Sequence, residues 1–233
     1  MKKLLASTVA ALSLLCGTTP AAAQPAQTAP TAATAGGMAA DAPAPDVLVR
    51  QVTSQVLDTA RRDKAIQAGD SRRILALIDT MILPHIDFDR MTASAAGRYW
   101  RQATPEQRAR LQSEFKTLLI RTYAGALSQV KDQTVEYKPL RARPGDTEVT
   151  VRTAVRTKGE PINIDYRMAR GGDGHWKIID VNVVGVWLVD NYRNEFSQQI
   201  AAGGIDGLIA RLAERNRSNA AGGASAGRPA VRG

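Results

Sequence analysis

The groups in this 233-residue chain that could do chemistry are few: two histidines, one serine between glycines, a glycine-rich turn and an aspartate inside an apolar strand. His85 follows the proline that ends a helix, and His175 opens a strand after a turn. Both read as surface or structural residues, and no Asp, Glu and His group has metal-ligand spacing. Gly223-Ala224-Ser225-Ala226-Gly227 matches the pattern of a nucleophile elbow. An elbow needs a tight strand-to-helix turn, and this match lies in a low-complexity tail with no strand before it. Gly171, Gly172 and Gly174 precede a strand, so they do not make a phosphate loop. Asp180 sits within WKIIDVNVV. Unpaired there, it would have a raised pKa and could act as a general base; paired with an Arg or a backbone donor, it is structural. No cofactor is implied by any of these patterns.

The elements that must position these groups follow from the hydrophobic pattern. Lys2 and Lys3, the apolar run Leu4 to Leu15 and Ala21-Ala22-Ala23 form a secretory signal peptide over 1–23. Cys16, the only cysteine, leaves with it, and Leu15 before it argues against lipid anchoring. The mature chain then has no disulfide and no cysteine chemistry. Without Lys2 and Lys3 there are 29 basic and 22 acidic residues, a net charge of +7. For a secreted protein, an anionic membrane surface or acidic partners explain that excess better than nucleic acid does; a merely solvated basic surface explains it equally.

Residues 24–45 read as a disordered linker and 216–233 as a disordered tail, which leaves one folded domain over 46–215. Asp46 can cap a helix carrying Leu48, Val49, Val52, Val56 and Ala60, and Asp70 or Ser71 a second carrying Ile74, Leu77, Ile78 and Ile82. Thr104-Pro105-Glu106-Gln107 is a capping box that opens a long helix with an apolar stripe from Leu111 to Val130. The period then changes to two. Val149, Val151, Thr153 and Val155 share one face and Glu148, Thr150, Arg152 and Arg156 the other; Ile162, Ile164, Tyr166 and Met168 repeat the pattern. After Gly185, VWLVDNYRNEF reads as a helix start, and Gly203-Gly204 breaks that helix before a last amphipathic one. The order predicts an α+β domain, a curved antiparallel sheet of about four strands covered on one face by helices.

A family resemblance rests on motifs that run in order through residues 50 to 213. They are Pro84-x-x-Asp87-Phe88-x-x-Met91, Gly97-Arg98-Tyr99-Trp100, Ala103-Thr104-Pro105-Glu106-Gln107 and Phe115-x-x-Leu118-Leu119-x-Arg121-Thr122-Tyr123. Gly159-x-Pro161-Ile162, Trp176-Lys177-Ile178-x-Asp180-Val181 and Gly185-Val186-x-Leu188-Val189-x-Asn191-Tyr192-Arg193-x-x-Phe196 complete the set. The chain resembles the MlaC, or toluene-tolerance, family of periplasmic phospholipid-binding proteins. The resemblance implies a fold related to nuclear transport factor and cystatin folds, with acyl chains held between sheet and helices. It implies a monomeric carrier, not an enzyme, that moves phospholipid between an outer-membrane lipoprotein–porin complex and an inner-membrane ABC transporter complex and so maintains outer-membrane lipid asymmetry.

On that resemblance the candidate lipid-binding wall is Val149, Val151, Val155, Ile162, Ile164, Tyr166 and Met168 of the sheet. Leu118, Leu119 and Tyr123 join from the long helix, and Val186, Leu188 and Tyr192 from the final segment; an ordinary core explains the same positions. Arg121 or Arg193 could meet a phosphate at the mouth. Trp187 and Val184 depart from the family pattern, where a small Ser and an acidic residue are usual, and a Trp at this break could narrow the mouth. A carrier of another apolar lipid, such as a hopanoid or isoprenoid, and a small enzyme using Asp180 are the competing readings.

Overall fold

The computed structural model describes residues 42–221; the expected signal peptide, most of the expected linker and the Ser225 motif lie outside the described residues. The N-terminal layer is helical. Helix α1 spans Pro45–Arg62, α2 Lys64–Gln67 and α3 Ser71–Leu77, and a π-helical turn, Ile78–Ile82, continues α3 without a break. Helix α1 starts at proline, whose fixed φ suits the first helical position, so Asp46 lies in the first turn and not at the cap. The Asp70 side chain accepts from the Arg72 and Arg73 amides and caps α3.

Helix α4 spans Phe88–Ala96 and α5 Pro105–Tyr123. The reciprocal capping box between Thr104 and Gln107 forms as the spacing predicts. The apolar stripe continues past Tyr123, but the backbone tightens to a 3₁₀ helix over Ala124–Gln129. Helix α6 spans Leu188–Ala221, with non-helical backbone at Gly204. Its last turn passes the expected boundary at 215, because Asn216 is buried and its amide donates to the Glu114 carbonyl at 2.9 Å.

The sheet is an antiparallel meander of five strands in sequence order: β1 Thr134–Tyr137, β2 Glu148–Arg156, β3 Ile162–Arg170, β4 Trp176–Val183 and β5 Val186–Trp187. The fold is therefore α+β, with one strand more than the pattern suggests. Val186 and Trp187 pair with Val183 and Asn182 before the chain enters α6. The connecting turn has positive φ at both Val184 (52°) and Gly185 (87°), which only a primed two-residue turn provides. The Asn182 Oδ1 accepts from the Gly185 amide at 2.8 Å, and the Val184 amide donates to the Asn163 carbonyl at 3.0 Å. A β-branched residue in the left-handed region is strained. Replacing it with Asn, which tolerates that region, is expected to raise the free energy of unfolding by about 1 kcal/mol in urea titrations of Val184→Asn.

Three apolar clusters fill the interior. Helices α4, α5 and α6 form one, in which Phe115 meets Tyr192 and Phe196 edge-on at 4.9 and 5.1 Å. Helices α1, α2 and α3 form a second with Val130, and the start of α1 forms a third with the sheet.

Candidate functional site

The site begins with the pairing register. Val149 stands opposite Met168, Val151 opposite Tyr166, Thr153 opposite Ile164 and Val155 opposite Ile162. Tyr166 in turn meets Val181, Ile164 meets Val183, and Val183 meets Val186. Alternation places all of these on one face of the sheet, so the sequence-predicted strand residues do form one surface.

That surface is covered unevenly. At one end Val149, Val151, Met168 and Ile178 are buried beneath Leu48 and Val49 of α1. Toward the other end Val155, Ile164 and Val183 are half-buried, and Ile162 and Val186 are 40% and 42% exposed. Strands β2, β3 and β4 therefore run from packed core into apolar surface that water reaches.

The helices show the same feature from the other side. Val52 belongs to both the α1–α3 cluster and the sheet cluster, and Leu83 joins the α1–α3 cluster to the α4–α6 cluster. Ile86 and Val181 join the α4–α6 cluster to the sheet cluster. All four are only half-buried. A close-packed core is usually one contiguous cluster whose central residues are dry. Here the residues that connect three clusters are the ones solvent still touches, which describes an apolar seam between sheet and helices. A separate recess of about 690 Å3 beside the β3–β4 turn also reaches Leu83 and Ile86, but its lining is mostly polar, with Asp87, Lys116, Asp173 and Lys177, so it is distinct from the apolar seam. A bridge between Ile86 and Ile178, and the Asp87 amide donating to the Ile178 carbonyl at 2.9 Å, fix this stretch against β4.

The seam contains little polarity. The Tyr166 phenol lies beside the Thr53 and Thr153 hydroxyls, and burial pushes its pKa up to about 12, so it remains a neutral hydrogen-bonding group. The sequence does not single out Val52, Leu83, Ile86 or Val181 as wall residues, although Val52 is legible as an apolar position of α1. Val181 was visible as an apolar strand residue, whereas Leu83 and Ile86 flank a proline where helical periodicity lapses.

The other candidates sit elsewhere. Leu118, Leu119, Leu188 and Tyr192 are buried in the α4–α6 cluster, and Tyr123 packs on its edge. Burial pushes the Tyr192 phenol up to about 12 and raises that of Tyr123. Arg121 donates to the Asn216 carbonyl. Arg193 donates to the Ser94 carbonyl at 2.9 Å and pairs with Asp190 at 3.1 Å. Both arginines thus tie helices together. Trp187 alternates with Val186, so its ring lies on the opposite face of the sheet, stacked 4.2 Å from the Arg167 guanidinium, and does not narrow the seam.

Asp180 is buried, and its Oδ1 accepts from the Val181 and Val189 amides at 2.8 and 3.0 Å, which joins β4 to the start of α6. Arg167 approaches its other oxygen at 3.4 Å. Burial nonetheless raises its pKa, outweighing the amides and the arginine. A carboxyl whose folded pKa is raised contributes stability below its unfolded pKa that is lost as pH rises through the folded one. Asp180→Asn, whose Oδ1 can still accept from both amides, is expected to fold and to lose this part of the pH dependence in urea titrations between pH 3 and 7. Asp180→Ala leaves two amides and an arginine without their acceptor and is expected to cost about 3 kcal/mol.

Among the described residues no helix is long and apolar enough to cross a membrane, and no group of three His, Cys, Asp or Glu side chains could hold a metal ion.

Comparison with known proteins agrees with the architecture. The family model described as MlaC protein matches residues 50–214. A toluene tolerance protein of Pseudomonas putida is 25% identical over 163 residues, covering 70% of this chain and 75% of that protein. The intermembrane phospholipid transport system binding protein MlaC of Haemophilus influenzae is 20% identical over 171 residues, 72% of this chain and 80% of that one. Among solved structures, a phospholipid-binding protein from Ralstonia solanacearum, in complex with a phospholipid, aligns with a TM-score of 0.72 at 45% identity; it covers 75% of this chain and 98% of the other.

Proposed function

The chain belongs to the MlaC family, and from that premise we propose that it is a periplasmic phospholipid carrier. In this reading it holds acyl chains in the seam and leaves the headgroup at the open end near Ile162 and Val186. It is exported by its signal peptide and moves lipid between an outer-membrane lipoprotein–porin complex and an inner-membrane ABC transporter complex, which maintains outer-membrane lipid asymmetry. The observation that carries the reading is the solvent-reached seam between the three clusters, with Val52, Leu83, Ile86 and Val181 along it. The phospholipid bound to the Ralstonia protein, whose chain is almost wholly covered by the match, supports the same cargo.

The energetics suit that role. A two-chain lipid carries roughly thirty methylenes, so exposing its tails to water costs about 24 kcal/mol at ~0.8 kcal/mol each. Free diffusion between membranes is negligible, and a protein must enclose the tails. Transfer from a bilayer to an equally apolar seam is close to balanced, so modest changes on docking can load or unload the carrier.

Native mass spectrometry of the mature protein purified without detergent tests this directly. A stoichiometric phospholipid is expected; a hopanoid or isoprenoid would retain the carrier and change its cargo. A folded, empty protein that takes up no lipid from vesicles would overturn the reading. Val155→Glu and Ile164→Glu place a charge on half-buried seam positions. Each is expected to lower co-purified phospholipid at least tenfold, with the circular dichroism spectrum unchanged.

A further inference from the structure

On the side of the sheet away from the seam, β2 and β3 present Thr150, Arg152 and Arg167, and the loop after β1 presents Lys138, Pro139 and Arg141. Together with Glu136, Glu148 and Val149 they line a groove of about 730 Å3. The carboxylates of this groove are held from outside it. The Arg156 Nε donates to Glu136 at 2.9 Å, and Arg90 pairs with Glu148. Arg167 is itself occupied by Asp180 and by the Trp187 ring. Lys138, Arg141 and Arg152 form no ion pair among the described residues, and Asp165, opposite Arg152 in the register, does not pair with it. Three positive charges without an ion-pair partner among the described residues thus line one recess. It adjoins β1, an edge strand whose only neighbour in the sheet among the described residues is β2.

We propose that this groove docks an extended acidic polypeptide segment of a partner protein. Carboxylates of such a segment complement Lys138, Arg141 and Arg152, and its backbone N–H groups can donate to Glu136 and Glu148. An anionic bilayer fits less well: its phosphates bring no N–H donors for the two glutamates, and a flat headgroup surface does not enter a recess. The edge of β1 offers an extended chain unpaired backbone groups beside the charges.

The test uses a fluorescein-labelled peptide of ten glutamates, the full mature chain and fluorescence anisotropy at low salt. In parallel, phosphatidylglycerol vesicles are assayed by co-sedimentation. The triple variant Lys138→Glu, Arg141→Glu and Arg152→Glu replaces exposed side chains. It is expected to weaken peptide binding at least tenfold while retaining its circular dichroism spectrum. A second triple variant, Lys64→Glu, Arg72→Glu and Arg211→Glu, makes the same change in net charge on exposed helical positions. It is expected to bind within twofold of the parent. Equal loss in both variants would reduce the effect to net charge and overturn the groove. Absence of peptide binding by the parent, with or without vesicle binding, would overturn it as well.

Discussion

The constraint behind this structure is a mismatch in coverage: the apolar face of the sheet extends farther than the helices close it. Helix α1 seals the end at Val149, Val151, Met168 and Ile178 with Leu48 and Val49, and the face then continues to Ile162 and Val186 without an equivalent cover. Contiguous exposed apolar surface of this kind is costly for a chain kept in water and typically marks a binding surface. Stability has to come from elsewhere, and the α4–α6 cluster provides it. Its triangle of Phe115, Tyr192 and Phe196 is almost dry and makes no demand on the sheet.

Most of the fold was legible because it rests on signals of short range. The capping box at Thr104, the change from helical to alternating period before β2, and the glycine-rich turns each fix an element locally. The fifth strand was not legible. VWLVDNYRNEF has helical spacing throughout, and only the pairing of Val186 and Trp187 with β4 assigns its first two residues to the sheet. The reach of the last helix past 215 was hidden for a similar reason: the hydrogen bond of Asn216 to Glu114 is a contact between residues far apart in sequence.

The site was half legible. Alternation fixed the strand contribution to one face, since a one-residue slip would reverse every side chain. The helical contribution was not fixed, because an apolar helical stripe says that something covers it and not what does. The stripe on α5 that holds Leu118 and Leu119 is covered by α4 and α6, while the helical wall of the seam comes from Val52 and from Leu83 and Ile86 around a proline. Charge was similarly ambiguous. Arg121 and Arg193 resemble phosphate ligands in sequence, yet each bonds a backbone carbonyl within the fold.

The π-helical turn at Ile78–Ile82 bears on how this wall tolerates insertion and deletion. A π turn is an α-helix with one residue added, and each residue of an α-helix advances the side chain by about 100° around the axis. Leu83 and Ile86 therefore owe their heading to a single surplus residue upstream. A one-residue deletion between 78 and 82 would restore an ordinary α-helix there, conserve every apolar side chain that follows, and still rotate that part of the seam out of line with the sheet. Residue number along this helix, as distinct from composition, therefore sets how its apolar side chains meet the sheet.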